Sequence, residues 1–169
     1  MKKLVTLVAA AFMLFGSFAF AEGYFSAEDH EKGTITADVE LEDGFVLHAT
    51  EEKYMNFSKK PTHVSASGEE FNMALQLQGS GKAGYRSVSF PAKKGETITV
   101  YGNSTSKTDV RPLVVANAAG KSLKELPMDI DGQAGTVASE GKFTVPEDGT
   151  YYLYSKKSGI NIYYVGVGK

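Results

Sequence analysis

Residues 33–169 read as an all-β domain, a jelly-roll-like antiparallel β-sandwich, and three observations predict it. Short runs rich in β-branched and aromatic residues recur along the whole stretch, which suits a pleated, half-buried surface. Clusters of Gly, Pro, Asn, Asp and Ser separate about ten such runs at intervals of about 8 to 12 residues, the turn spacing of a sandwich. The cleanest run places Phe71, Met73, Leu75 and Leu77 on one side and Asn72, Ala74, Gln76 and Gln78 on the other, a period of two that no helix face satisfies. An open or closed barrel uses the same signals and is the alternative.

Residues 1–21 begin with Lys2 and Lys3, continue as an apolar run from Leu4 to Phe15 and end in Ala19-Phe20-Ala21. Charged, apolar and small-residue zones in that order predict a secretory signal peptide cleaved after Ala21, so the protein is expected to be exported, periplasmic or secreted. The apolar run is too short for a membrane span, and no membrane insertion of the mature chain is expected. Cleavage removes two lysines and no acid from a chain with 20 acidic and 18 basic residues. The resulting domain is mildly acidic, with its lysines scattered among glutamates, which excludes nucleic acid as a partner class. The chain has no cysteine, so thiol chemistry, a disulfide framework and lipid attachment at the cleavage site are excluded. The remaining length suffices for one core without staples. Residues 22–32 are polar, with His30 between Asp29 and Glu31. They are expected to be a flexible, solvated leader into a single β-sandwich domain at 33–169.

Strands are expected at 34–39, 44–50, 53–57, 64–67 and 70–78. Gly79-Ser80-Gly81-Lys82-Ala83-Gly84 follows. A phosphate-binding loop would need glycine where Gln76 stands and a hydroxyl where Ala83 stands, so this stretch reads as a flexible hairpin connection. Residues 85–90, 97–101 and 111–115 then alternate apolar and polar side chains between turn clusters, and predict a three-strand meander. In that arrangement the start of the first strand, the end of the second and the start of the third share one end of a sheet. Arg86 has the parity of Val88 and Phe90, and Arg111 that of Leu113 and Val115. Each arginine therefore opens an inward-facing row, and its charge must sit at the rim or meet an acid or a carbonyl.

Residues 116–120 read as a turn, and 121–128 as a strand or an irregular edge. Asp129-Ile130-Asp131-Gly132 resembles the start of a calcium loop with Glu140 at the place of the last ligand. Gln133 and Ala134 break that pattern and no amphipathic helices flank it, so no metal is expected. Residues 141–145, 150–154 and 160–167 predict two closing hairpins around turns at 146–149 and 155–159.

Three motifs in order carry a resemblance. Tyr85-Arg86-Ser87-Val88-Ser89-Phe90, Ile98-Thr99-Val100-Tyr101 with the serine-rich loop up to Arg111, and Gly149-Thr150-Tyr151-Tyr152-Leu153-Tyr154-Ser155 leading to Gly159-Ile160-Asn161-Ile162-Tyr163-Tyr164 resemble the small β-sandwich modules attached to secreted bacterial pectate lyases and related polysaccharide-degrading enzymes. The resemblance covers 43–167, with Val110 between Asp109 and Arg111 as a departure from the pattern. It implies a non-catalytic carbohydrate-binding or accessory module of jelly-roll fold.

The residues themselves reach a compatible place. If the 155–159 turn shares an end with the 102–109 loop, then Lys82, Arg86, Asn103, Ser104, Ser106, Lys107, Arg111, Ser155, Lys156 and Asn161 gather at one rim, a basic cluster on an acidic protein. A guanidinium pair among hydroxyls and amides suits a carboxylate-bearing sugar, because arginine binds a carboxylate through two parallel hydrogen bonds. The expected partner is a polysaccharide or oligosaccharide, in particular an acidic, uronic-acid glycan, with Tyr101 and Tyr54 as a stacking surface. The structural alternative is that the arginines hold loop carbonyls or an acid such as Asp109 or Glu70, with Lys156 and Lys157 in a solvated turn. A second class of function is an envelope protein-interaction or structural sandwich. Lys142-Phe143-Thr144-Val145 before Gly149-Thr150-Tyr151-Tyr152 resembles domains appended to secreted peptidases. For catalysis the signals are poor. His30, His48 and His63 lie apart without metal-ligand spacing, and no G-x-S-x-G elbow or cysteine nucleophile is present. The acid pairs Glu51-Glu52 and Glu69-Glu70 would point to opposite faces of a strand. No enzyme and no cofactor are expected.

Overall fold

The computed structural model describes residues 23–130 and 136–169. Its strands are β1 (Gly23–Ser26), β2 (Gly33–Ile35), β3 (Val39–Glu40), β4 (Val46–His48), β5 (Met55–Val64), β6 (Glu70–Leu77), β7 (Ser87–Ala92), β8 (Thr97–Ser104), β9 (Arg111–Asn117), β10 (Ser122–Met128), β11 (Ser139–Thr144), β12 (Gly149–Ser155) and β13 (Ile160–Gly168). They form two antiparallel sheets, as the alternating runs predict. The seven-stranded sheet has the order β11-β8-β13-β6-β5-β2 with β1 added to β13, and the six-stranded sheet has the order β10-β9-β12-β7-β4-β3.

From β6 to β9, and again from β10 to the end, each strand lies in the sheet opposite its predecessor. The expected meander and the two closing hairpins are therefore corrected: each connection arches over the core. The physical reason lies in the apolar faces. Val88 and Phe90, Ile98 and Val100, and Leu113 and Val115 all enter one core, and successive runs meet face to face across the sandwich instead of side by side within a sheet. Arching still reverses the chain at each step, so Arg86, the end of β8 and Arg111 remain at one end. The connection at 79–84 is likewise an arch between sheets. The strand expected at 53–57 runs on to Val64 as β5, with a register shift between Lys59 and His63, and of the strand expected at 64–67 only Val64 belongs to it, 65–67 being turn.

The leader is also corrected. Gly23–Ser26 pairs with β13 from Val167 to Tyr164, and Phe25 and Ala27 join the core. Glu28 accepts the N–H groups of Asn72 and Met73 just beyond the stretch of β6, Leu75 to Leu77, that pairs with β13. His30 is half-buried, its ring 4.5 Å from that of Phe57 and 5.6 Å from that of Phe25. Burial pushes its pKa below the usual histidine value, while Asp29 opposes the shift.

One irregularity positions the site. The register of β13 on β8 shifts between Ile162 and Tyr164, while Ile160, Ile162, Val165 and Val167 all face the core. The extra residue of this bulge sets Tyr163 and Tyr164 consecutively on the outer face of the seven-stranded sheet.

Candidate functional site

The expected rim exists, but most of its polar groups are committed to the chain. Arg111 donates through Nη1 to Thr105 Oγ1 at 2.7 Å and to the Gly159 carbonyl at 2.8 Å. Arg86 donates through Nε to the Tyr54 carbonyl at 3.3 Å, and its guanidinium lies against Gly79, where a Cβ would stand 2.7 Å from Nη1. Ser155 and Ser104 are buried. Ser155 donates to the Ser158 carbonyl, Ser104 accepts from the Ser106 N–H, and Ser106 accepts from the N–H groups of Thr108 and Asp109. Loop N–H groups need acceptors, and neighbouring hydroxyls supply them. Lys82 and Lys107 are exposed, and Lys156 is paired with Glu125 at 2.5 Å. Asp131, Gly132, Gln133 and Ala134 of the calcium-like stretch lie outside the described residues.

Asn103 and Asn161 lie one residue inside the rim ends of β8 and β13, and Tyr101 lies further along β8. They belong to the outer face of the seven-stranded sheet, and there the structure builds a different arrangement. In register, Asn103 of β8 lies beside Asn161 of β13, Asn161 beside Gln76 of β6, Gln76 beside Asn56 of β5, and Asn56 beside Thr34 of β2. Core residues flank Gln76 (Leu75 and Leu77), Asn56 (Met55 and Phe57) and Asn161 (Ile160 and Ile162), so these side chains project from the outer face, and Asn103 and Thr34 share that face as their register partners. With strands about 4.8 Å apart, four steps give a polar row about 19 Å long.

The row is graded in depth. Thr34 is exposed, Asn56 and Gln76 are half-buried, and Asn161 and Asn103 are fully buried. Asn103 Nδ2 reaches the carbonyls of Asp129 and Ile130 at 3.5 and 3.4 Å, so the chain leaving β10 passes over that end. Among the described residues, both amide atoms of Asn161, Oδ1 of Asn103, Oδ1 of Asn56 and Oγ of Ser58 are buried without a hydrogen-bond partner. A buried donor or acceptor left unpaired costs about 1–3 kcal/mol. Several in one row call for partners, either ordered water or a group from outside the chain.

Next to the row, the bulge supplies aromatic walls. Phe71, Ala74, Tyr101, Ala138 and Tyr163 form a small buried cluster with Tyr164 at its side. Tyr163 stacks on Phe71 at 5.4 Å and His63 packs on Tyr163 at 5.1 Å. Tyr24 stacks on Tyr164 at 6.0 Å and remains 37% exposed, a flat ring open to solvent. Tyr101 donates to Glu140 Oε1 at 3.1 Å. Burial, with Tyr24, Tyr101 and Glu69 nearby, pushes the Tyr164 hydroxyl up to about 12. Burial also raises the Glu69 carboxyl, but the hydroxyls of Ser65 and Ser67 and a backbone N–H outweigh it and hold the pKa below its usual value. At neutral pH this end of the face presents neutral phenols beside the ionised Glu69 carboxylate.

Asn56, Gln76 and Thr34 escape a reading by spacing because they lie far apart in the chain. The available signal is that outward positions of neighbouring strands carry amides where charges are the usual solvent-facing choice. No family model matches the chain, and no curated protein sequence does. Among solved structures it is similar to the CBM6-3 module of Clostridium stercorarium in complex with cellobiose, at 13% identity over 92% of this chain and 99% of that one, with a TM-score of 0.44. It is similar also to the CBM22-1 xylan-binding domain of Paenibacillus barcinonensis Xyn10C, at 11% identity over 90% and 97% of the two chains and a TM-score of 0.45.

Proposed function

We propose that this chain is an exported carbohydrate-binding module that holds a glycan on the outer face of its seven-stranded sheet without cleaving the glycosidic bond. The observation that carries this reading is the row Thr34, Asn56, Gln76, Asn161 and Asn103 with its unpartnered buried amide atoms. An amide offers a donor pair and an acceptor side by side, which matches neighbouring sugar hydroxyls, and the exposed ring of Tyr24 offers a surface for the apolar face of a pyranose. The length of the row suits a short linear oligosaccharide entering from the Thr34 edge. Neutral glycans fit best, because the row carries no charge. An acidic glycan remains the second reading for the rim, where Lys82 and Lys107 are exposed. Calorimetric titration with cellotetraose, xylotetraose and trigalacturonate tests both. The expected result is binding of a neutral oligomer with micromolar to millimolar Kd, weakened about tenfold by Asn56→Ala or Gln76→Ala, which is about 1.4 kcal/mol each. Binding of trigalacturonate alone, lost in a Lys82→Ala, Lys107→Ala double variant, would move the site to the rim. Absence of binding to every sugar would favour the protein-interaction alternative.

A further inference from the structure

Asp38, His48 and Ser89 lie far apart in the chain, and the six-stranded sheet joins them. β4 lies between β3 and β7. Asp38 immediately precedes β3, and His48 ends β4 opposite Ser87. Ser89 is the next outward residue of β7, since Val88 and Phe90 face the core. His48 Nε2 is 2.8 Å from Ser89 Oγ, and His48 Nδ1 is 3.0 Å from Asp38 Oδ2. The other oxygen of Asp38 accepts the Ala49 N–H at 3.2 Å, which fixes the carboxylate against the ring. A hydroxyl, a base within hydrogen-bond reach of it and an acid orienting the base are the three parts of a serine acyl-transfer centre. We propose that Asp38, His48 and Ser89 form such a centre, acting on esters of small acyl groups such as acetate.

In the first step Ser89 Oγ bonds to the ester carbonyl carbon while its proton passes to His48 Nε2. The carbon–oxygen bond to the leaving alcohol then breaks, and His48 returns the proton to that oxygen. Water then gives a proton to the same nitrogen and bonds to the acyl carbon, the bond from that carbon to Ser89 Oγ breaks, and His48 returns the proton to Oγ as the carboxylic acid leaves. Asp38 holds the Nδ1–H tautomer throughout and acts as the positioning residue. Access sets the substrate class. Ser89 is 4% exposed, its register partner is Tyr152, and the Tyr152 ring stands 5.7 Å from that of His48. So little access restricts the acyl group to the smallest, such as acetyl, and excludes a long acyl chain. The backbone of Ser89 is paired with β4 and β12, so it offers no free N–H pair to a developing oxyanion. Removing one such donor elsewhere slows turnover by about 10²–10³. Acylation and deacylation are both slow, and acetylated Ser89 is the species to observe with an activated ester, whose good leaving group makes acylation the faster step.

The experiment treats the purified protein with p-nitrophenyl acetate, follows p-nitrophenolate release and maps the acetyl group by mass spectrometry. The expected result is acetyl on Ser89, with release reduced at least tenfold in Ser89→Ala and His48→Gln. Asp38→Asn should retain a slow rate with an altered pH profile. Because these side chains also tie β4 to β7, Ser89→Cys serves as the control for folding, and acetylation of its thiol supports the centre. Unchanged release in Ser89→Ala, or a folded protein acetylated on lysines but not at position 89, would overturn the proposal. The centre lies on the sheet opposite the amide row, so its failure leaves the glycan reading untouched.

Discussion

Arg111 has its guanidinium committed to the fold, through one hydroxyl and one carbonyl in the two loops that flank it. Arg111→Ala is expected to lower stability by about 1–3 kcal/mol with no change in glycan affinity. Urea unfolding beside a calorimetric titration checks both halves. A loss of affinity without a loss of stability would return this residue to the binding site. Glu28 caps two N–H groups of β6, and Glu28→Ala should cost a similar amount. His30 gives a pH dependence. Its folded pKa lies below the unfolded value of 6.5 because its ring is buried. The unfolded chain therefore binds the proton more readily, and stability rises with pH across this range. The contribution is complete above about pH 6.5 and is lost as the pH falls from there through the lowered folded value. Melting temperatures between pH 5 and 8 should show this limb in the wild type and not in His30→Phe.

Among the elements, β13 carries the most. It pairs with β1, β6 and β8, supplies Ile160 and Ile162 to the core and sends Asn161, Tyr163 and Tyr164 outward. Its contact with β8 is close. A Cβ on Gly102 would lie 2.5 Å from the Asn161 carbonyl oxygen, so Gly102→Ala forces the two strands apart. The expected cost is about 1–3 kcal/mol, the usual range for overpacking, together with weakened glycan binding, because Asn103 and Asn161 are held in register there. Parity along single strands was legible in part: Met73, Leu75 and Leu77 face the core as expected and Arg111 opens the inward row of β9, but Phe71 joins the outer cluster with Tyr163, and Arg86 precedes β7 with a positive φ of 47°, outside the strand's alternation. Partnership between strands was not legible. Turn residues mark where a chain reverses, and an arch across the core uses the same residues as a hairpin within a sheet. The bulge that turns both Tyr163 and Tyr164 outward likewise leaves no local signature in an unbroken apolar run.

For the whole molecule, two sheets closed over one core leave two outer faces, and the two proposed sites lie on them. Asn103 and Asn161 were legible as candidates, but Asn103 was assigned to a loop because its strand was read as ending at Tyr101, whereas β8 runs on to Ser104. Gln76 and Asn56 became neighbours of Asn161 only through the sheet order β13-β6-β5. The central claim is that this row of amides meets a sugar. Its most direct test is the chemical shift of the side-chain NH₂ groups of Asn56, Gln76, Asn103 and Asn161 during titration of the labelled protein with a neutral tetrasaccharide. The account predicts saturable shifts in all four, with Lys82 and Lys107 unmoved. Saturable shifts confined to the rim, or binding that leaves the four amides in place, would contradict it.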